Sequence, residues 1–91
     1  MYRLVWTARF TRTARKFAQA HPDLRQRLAR VLRDLENDPL LPHLRLHPLK
    51  GKMQGLHAVS VTYSYRISLT LKVTEKEIIL LDIGSHDEVY E

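Results

Sequence analysis

The chain has no cysteine among its 91 residues. Disulfide bonds, thiol catalysis and thiolate metal sites are therefore excluded. No apolar run approaches the length needed to span a membrane, and the first residues lack the apolar core of a signal peptide. We therefore expect a cytoplasmic protein with no membrane partner.

Acidic residues are almost missing from the first third of the chain. Between residues 3 and 33 the only acid is Asp23, against nine arginines and lysines. The whole chain carries a formal net charge of +5, and every other acid lies beyond Arg33. A positive field concentrated in this way attracts polyanions, and nucleic acid is the natural candidate.

The length of the chain leaves room for one modest core. With 91 residues and 44% hydrophobic content, we expect a single domain over residues 1–91. We find no internal repeat, low-complexity segment or interdomain linker.

The first half of the sequence predicts a short strand followed by two amphipathic helices. Residues 3–6 form the strand, and Thr7 is the expected N-cap of a helix that ends near His21. Pro22 suits the first turn of the second helix, which Asn37, Asp38 and Pro39 end. Apolar residues recur at helical spacing in both helices: Phe10, Ala14, Phe17 and Ala18 in the first, and Leu24, Leu28, Val31, Leu32 and Leu35 in the second.

The second half predicts a long loop followed by three strands. Residues 40–55 contain prolines and glycines and form the loop, with a short strand near residues 44–46. Strands are expected at residues 57–62, 65–73 and 77–83. In the middle strand apolar and polar residues alternate, so Arg66, Ser68 and Thr70 share the face away from Ile67 and Leu69.

This order of elements predicts an α+β fold. An antiparallel two-helix hairpin packs on one face of a mainly antiparallel four-stranded sheet that includes the N-terminal strand. The opposite face is expected to be open and to carry Arg66, Ser68 and Thr70.

The polar tail after the last strand carries the side chains best suited to chemistry. His86 and Tyr90 follow the apolar strand, and histidine exchanges protons near neutral pH. Cleavage of RNA without a metal needs an acid, a base and a cation that stabilises the phosphorane. Arg66 on the neighbouring strand can supply the cation. Further candidates lie in the loop: His47, Lys50 and Lys52.

Each of these residues also has a purely structural interpretation. His86 can anchor the tail, and Arg66 can pair across the strands with an acid such as Glu77. His47 can cap the loop, and Tyr90 can pack over the sheet edge. The helical arginines can form a solvated surface. A metal site is not predicted, because the histidines lack a compact ligand spacing.

Taken together, these segments resemble the RelE/ParE superfamily of bacterial toxin-antitoxin toxins. The chain is most similar to the RelE and YafQ-type mRNA interferases over nearly its whole length. The resemblance rests on the basic helical hairpin and on three segments: His47-Pro48-Leu49-Lys50-Gly51 with Gly55, Tyr65-Arg66, and Gly84-Ser85-His86 with Tyr90.

The resemblance implies a ribosome-dependent endoribonuclease that cuts mRNA without a cofactor. It implies that Arg66 contacts the scissile phosphate, that His86 is a catalytic histidine and that Tyr90 lies beside the cut nucleotide. His47 matches a YafQ-type active-site histidine, and Lys50 and Lys52 lie near lysines that RelE uses. Ribosomal RNA is expected to bind arginines of the hairpin: Arg9, Arg12, Arg27 and Arg30.

The chain departs from the YafQ-type pattern in two places. Ser60 stands where a second histidine is expected, and Ser64 and Tyr65 replace an acidic-aromatic pair. The identity of the general base is therefore open, with His57 as a further candidate.

Two other functions remain compatible with the sequence. A ParE-like toxin would inhibit DNA gyrase without catalysis, and a nontoxic module would use the basic hairpin only for binding. A toxin of either kind implies a cognate antitoxin, which we expect to be acidic in order to complement the positive helices.

Overall fold

The computed structural model describes residues 1–87, which form five strands and two α-helices joined by short 3-10 turns. The strands are β1 (Arg3–Trp6), β2 (His47–Pro48), β3 (His57–Ser60), β4 (Tyr65–Lys72) and β5 (Glu77–Ser85). The helices are α1 (Ala8–Ala20) and α2 (Arg25–Asn37).

The strands form one mixed sheet in the order β1-β5-β4-β3-β2. β1 is parallel to β5, and all other neighbours are antiparallel. The predicted α+β class and the mainly antiparallel sheet are confirmed. The predicted number of four strands is wrong, because His47 and Pro48 pair with Ala58 and His57 and so add β2 at the edge.

The first helix begins where the sequence predicts. The Thr7 hydroxyl accepts a hydrogen bond from the Phe10 N–H at 3.1 Å and donates one to the Leu80 carbonyl at 2.7 Å. α1 buries Phe10, Ala14 and Phe17. Thr7 therefore caps α1 and also fixes its start to β5.

A 3-10 turn at Pro22–Leu24 separates the two helices. Pro22 therefore precedes α2 instead of lying in its first turn, because the Leu24 N–H bonds the His21 carbonyl in a tighter i to i+3 turn. The apolar stripe predicted for α2 is confirmed by its buried residues, Leu28, Val31 and Leu35.

The loop before the meander differs from its prediction. Residue 44 ends the 3-10 turn Pro42–Leu44, so the short strand begins three residues later than the predicted residue 44, at His47. Arg45 lies between the turn and β2 with a left-handed φ of 54°. This conformation redirects the chain from the turn to the sheet edge.

Three strand ends also differ from the prediction, and the smallest difference is in β4, which ends at Lys72 instead of residue 73. β3 ends at Ser60, because the N–H groups of Val61 and Thr62 both bond the Tyr65 carbonyl and form the turn to β4. β5 continues to Ser85, so Gly84 and Ser85 belong to the strand and His86 follows it directly.

A β-bulge in β5 sets which side chains face the helices. The pairing shifts between Ser68 and Leu69, which leaves Leu81 as the extra residue. Leu80 before the bulge and Ile83 after it both lie in the core, although three positions separate them. The bulge thus keeps both halves of β5 packed against the helices.

The sheet face opposite the helices is only partly open. Ile67 and Leu69 of β4 are fully buried in the core, as the alternation predicts. Ser68 on the other face is also buried, with 1% of its surface exposed, and so is its cross-strand neighbour Ala58. The expectation of an open face is therefore wrong at Ser68, whereas Arg66 and Thr70 are partly exposed.

Neither described helix has the length and apolar character that a membrane crossing requires.

Candidate functional site

The end of the sheet brings Arg66 and His86 together. Arg66 lies opposite Gly84 in the pairing of β4 with β5, and His86 follows β5 two residues after Gly84. Both side chains line one open hollow of about 350 Å³. The hollow is also lined by Tyr63, Ser64, Ser85 and Asp87.

The Arg66 guanidinium is held by a backbone carbonyl. Its Nη1 donates to the Tyr63 carbonyl at 3.0 Å, and no carboxylate within residues 1–87 forms an ion pair with it. The interpretation as a partner of Glu77 is wrong, because Glu77 pairs with Lys72 across the strands and with the Arg3 side chain. A guanidinium has five N–H donors, so Arg66 retains donors for an anion.

The His86 side chain is accessible from solvent, with 58% of its surface exposed. Its Nδ1 lies 3.6 Å from an oxygen of Asp87, which is itself 94% exposed. An ion pair at such exposed positions contributes little to stability. The imidazole can therefore be reached by a ligand in the hollow.

His47 begins the edge strand β2 and pairs with Ala58 of β3. Its Nδ1 donates to the Arg45 carbonyl at 2.8 Å. Because a carbonyl oxygen only accepts, the neutral imidazole carries its proton on Nδ1 and its lone pair on Nε2. This is the tautomer in which Nε2 can accept a proton.

The structure does not place His47 in the Arg66 hollow. His47 and Lys50 line a second hollow of about 320 Å³ with Pro48, Leu49 and Met53. β2 and β4 lie on either side of β3, so about 10 Å separates their backbones. Lys52 is exposed in the adjoining 3-10 turn, Gly51–Met53.

The helical arginines divide into two groups. Arg27 and Arg30 line a groove of about 270 Å³ that also contains Arg66. Arg9 instead pairs with Asp82 at 3.0 Å, and Arg12 is exposed on α1. Only the α2 arginines of the predicted RNA-binding set therefore adjoin the candidate site.

His57 lies on the other side of the sheet from Arg66. It is paired with Leu69 and lies two residues before Val59, and both of these residues are in the core. Its Nδ1 is buried and has no hydrogen-bond partner among the described residues. This position does not support His57 as the missing base. Tyr90 lies outside the described residues.

No group of three or more histidine, cysteine or acidic side chains within residues 1–87 is arranged to hold a metal ion.

Comparison with known protein families identifies the family of this chain. The family model described as bacterial toxin of type II toxin-antitoxin system, YafQ, matches residues 2–91. The chain belongs to this family. Comparison with curated protein sequences gave no match.

Solved structures support the same fold. YafQ from Escherichia coli BL21(DE3) is 18% identical with a TM-score of 0.80, and the match covers 100% of both chains. A metal-bound toxin from Helicobacter pylori is 24% identical with a TM-score of 0.80, covering 99% of this chain and 100% of the other. YoeB in the YoeB-YefM complex from Staphylococcus aureus is 13% identical with a TM-score of 0.72, covering 94% and 98%.

The positions where this YafQ-family toxin departs from the expected pattern have different surroundings. Ser60 pairs with Arg66 and lines the groove, and Ser64 lines the hollow. The Tyr65 ring instead packs against Phe17 at 5.1 Å and His21 at 4.7 Å between ring centroids. Tyr65 therefore stabilises the sheet end from the helix side.

Two residues near the site were missed by sequence reasoning, Arg45 and Tyr63. Arg45 lines the groove, and Tyr63 lines both the groove and the hollow with 90% of its surface exposed. The sequence signals for these residues were that Arg45 lies in a loop rich in basic residues and that Tyr63 lies at a turn between two strands. Neither signal specifies a partner, because the groove is formed by segments distant in sequence.

Proposed function

We propose that this type II toxin is an endoribonuclease that cuts mRNA in the ribosomal A site without a metal ion. The observation that carries the proposal is the shared hollow of Arg66 and His86, in which a guanidinium and an accessible imidazole border one open space of about 350 Å³. A cation and a proton-exchanging group are the two elements that phosphodiester cleavage requires.

The proposed reaction is an internal transfer of the phosphoryl group. A base removes the proton of the 2′-hydroxyl, the 2′-oxygen forms a bond to phosphorus, and the bond from phosphorus to the 5′-oxygen breaks. An acid then protonates the leaving 5′-oxygen. The products are a 2′,3′-cyclic phosphate and a 5′-hydroxyl.

The side chains can share these steps. Arg66 stabilises the negative charge of the phosphorane through its remaining N–H donors. His86 acts as general acid or base, and the Nε2 lone pair of His47 makes it the second candidate base. Tyr90 orients a base beside the cut, and Lys50 and Lys52 contribute positive charge along the RNA.

The ribosome and an antitoxin are the proposed partners. Exposed arginines of α1, such as Arg12, bind ribosomal RNA, so free RNA is a poor substrate. The antitoxin is acidic and complements the same positive surface. In Staphylococcus aureus, the YoeB toxin has been observed in a complex with YefM.

Primer extension on mRNA from cells that express the toxin tests the proposal. We expect 5′-hydroxyl ends within translated codons for the wild type. Arg66→Ala and His86→Ala should each reduce cleavage by about a hundredfold or more, since each removes one catalytic group. Lys72→Ala removes an exposed positive charge at the opposite end of β4 from Arg66 and serves as the matched control.

Two results would contradict the proposal. Cutting at the wild-type rate in the double variant Arg66→Ala/His86→Ala would show that the chemistry is wrongly assigned. Arrest of DNA replication with intact mRNA would instead favour a ParE-like inhibitor of gyrase.

A further inference from the structure

A basic groove continues from the Arg66–His86 hollow toward α2. Four arginines line it: Arg27, Arg30, Arg45 and Arg66. The groove and the hollow share Tyr63 and Arg66, so a ligand can pass from one to the other without leaving the protein surface.

The charge inside the groove is strongly unbalanced. The one carboxylate among its described lining residues is Asp34, and Asp34 is engaged by His43 Nε2 at 2.7 Å. Arg27 Nη1 lies 3.5 Å from the Val61 carbonyl, a contact that leaves most of its donors unused. The groove therefore presents guanidinium groups to an anion.

Arg45 is placed in the groove by an unfavourable backbone conformation. Its φ of 54° lies in the left-handed region, which residues other than glycine and asparagine rarely adopt. The same residue lines the groove with its side chain and holds His47 Nδ1 with its carbonyl.

Tyr63 stands at the junction of the two spaces. Its ring is 90% exposed at the turn between β3 and β4, and the Arg66 guanidinium is bonded to its carbonyl. Proteins that bind single-stranded nucleic acids combine a positively charged groove with exposed aromatic rings on which the bases stack.

We propose that this groove binds the RNA strand next to the scissile phosphate. Arg27, Arg30 and Arg45 contact the neighbouring backbone phosphates, and Tyr63 stacks on the flanking base. The proposal deepens the proposed function, on which it rests for the position of the cut. RNA is favoured over an acidic protein segment because the groove combines planar guanidinium groups with a stacking ring at its continuation into the hollow.

Binding of a short 2′-O-methyl RNA tests the proposal directly. This probe lacks the attacking 2′-hydroxyl, so anisotropy can be measured at several salt concentrations without cleavage. Arg30→Ala and Arg45→Gly should each weaken binding roughly threefold to tenfold and lower the salt slope by about 0.7. Tyr63→Ala should weaken binding about fivefold or more with an unchanged slope, and Tyr63→Phe should restore it.

Matched controls separate binding from folding. Arg33→Ala removes an exposed arginine of α2 that does not line the groove, and should change affinity less than about twofold. Glycine tolerates the backbone conformation of Arg45, so Arg45→Gly should keep the wild-type urea midpoint. Arg45→Lys retains the charge and should recover part of the affinity.

Three outcomes would overturn the groove assignment. They are no binding of the probe by the wild type, wild-type affinity in both Arg30→Ala and Arg45→Gly, or equally tight binding of a polyglutamate peptide. The last would assign the groove to an acidic protein segment. Probe binding that depends on the groove, in a protein that cuts no mRNA, would support the groove and contradict only the proposed cleavage.

Discussion

His47 and His86 differ in the contact that each Nδ1 atom makes. The Arg45 carbonyl holds the neutral His47 ring with its proton on Nδ1. His86 is 58% exposed and lies beside the exposed carboxylate of Asp87. The Nδ1 contact of His47 makes Nε2 the nitrogen that would act if His47 is the base, whereas His86 adjoins the Arg66 cation.

Replacing His47 with asparagine distinguishes the role of its Nδ1 from the role of its Nε2. The amide N–H of His47→Asn can donate to the Arg45 carbonyl, but it has no group that accepts a proton in place of Nε2. If His47 is the base, mRNA cleavage should fall about a hundredfold or more. The free energy of unfolding should stay within about 0.5 kcal/mol of the wild type in a urea titration.

His47→Ala provides the comparison, because it removes both nitrogens. It should lose cleavage like His47→Asn and should also lose the hydrogen bond to Arg45. Wild-type cleavage in His47→Asn would assign the base to another group and leave His47 as a support for the loop.

At the level of single elements, Thr7 joins α1 to the sheet. Its hydroxyl caps the helix at the Phe10 N–H and donates to the Leu80 carbonyl of β5. Thr7→Ala removes both bonds and should lower the free energy of unfolding by about 1–2 kcal/mol. The midpoint of urea denaturation measures the loss.

Thr7→Ser keeps the hydroxyl and should retain most of this stability. Thr74→Ala, in the exposed turn between β4 and β5, should change it by less than about 0.5 kcal/mol. An equal effect of Thr7→Ala and Thr74→Ala would show that the cap does not stabilise the helix.

The elements that could be predicted are those whose signal is local. Apolar spacing in α2 and alternation in β4 each indicate which face is buried, and both predictions are confirmed at Leu28 and Ile67. β2 could not be located, because its two residues become a strand only through pairing with Ala58 and His57. The bulge at Leu81 is likewise defined by the partner strand.

The candidate site follows the same division. Arg66 and His86 could be predicted to meet, because Arg66 lies in β4 and His86 directly follows the adjacent antiparallel strand β5, so that their separation depends on one register. The groove could not be predicted, since Arg30 of α2 and Arg45 of the loop meet only after the hairpin packs on the sheet. The groove therefore depends on long-range packing, which the sequence pattern does not show.

For the whole molecule, ion pairs divide the arginines by role. Arg3 pairs with Glu77 and Arg9 with Asp82, so these cations connect β1 and α1 to β5. Arg27 and Arg30 of α2 and Arg45 of the following loop instead line the groove beside Arg66. Positive charge is thus used for attachment on one side of the molecule and is available to a polyanion on the other.

One hydrophobic core supports both the ion-paired arginines and the groove arginines. A substitution at Leu35 of α2 tests how much this core contributes to stability. Leu35 is fully buried in the cluster that also contains Phe10, Ile67 and Leu80. Leu35→Ala leaves a cavity and should lower the free energy of unfolding by about 2–5 kcal/mol, a large part of the roughly 5–15 kcal/mol typical of such proteins. Urea denaturation followed by circular dichroism measures the change.

Leu40→Ala makes the same chemical change at a side chain that is 71% exposed, and it should cost less than about 0.5 kcal/mol. Because Arg30 and Arg66 belong to elements that meet through this core, Leu35→Ala should also weaken probe binding near its unfolding midpoint, in proportion to the unfolded fraction. Under conditions that keep the variant folded, its affinity should return to the wild-type value. A lasting loss of affinity in the folded variant would mean that Leu35 shapes the groove itself, beyond stabilising the fold that carries it.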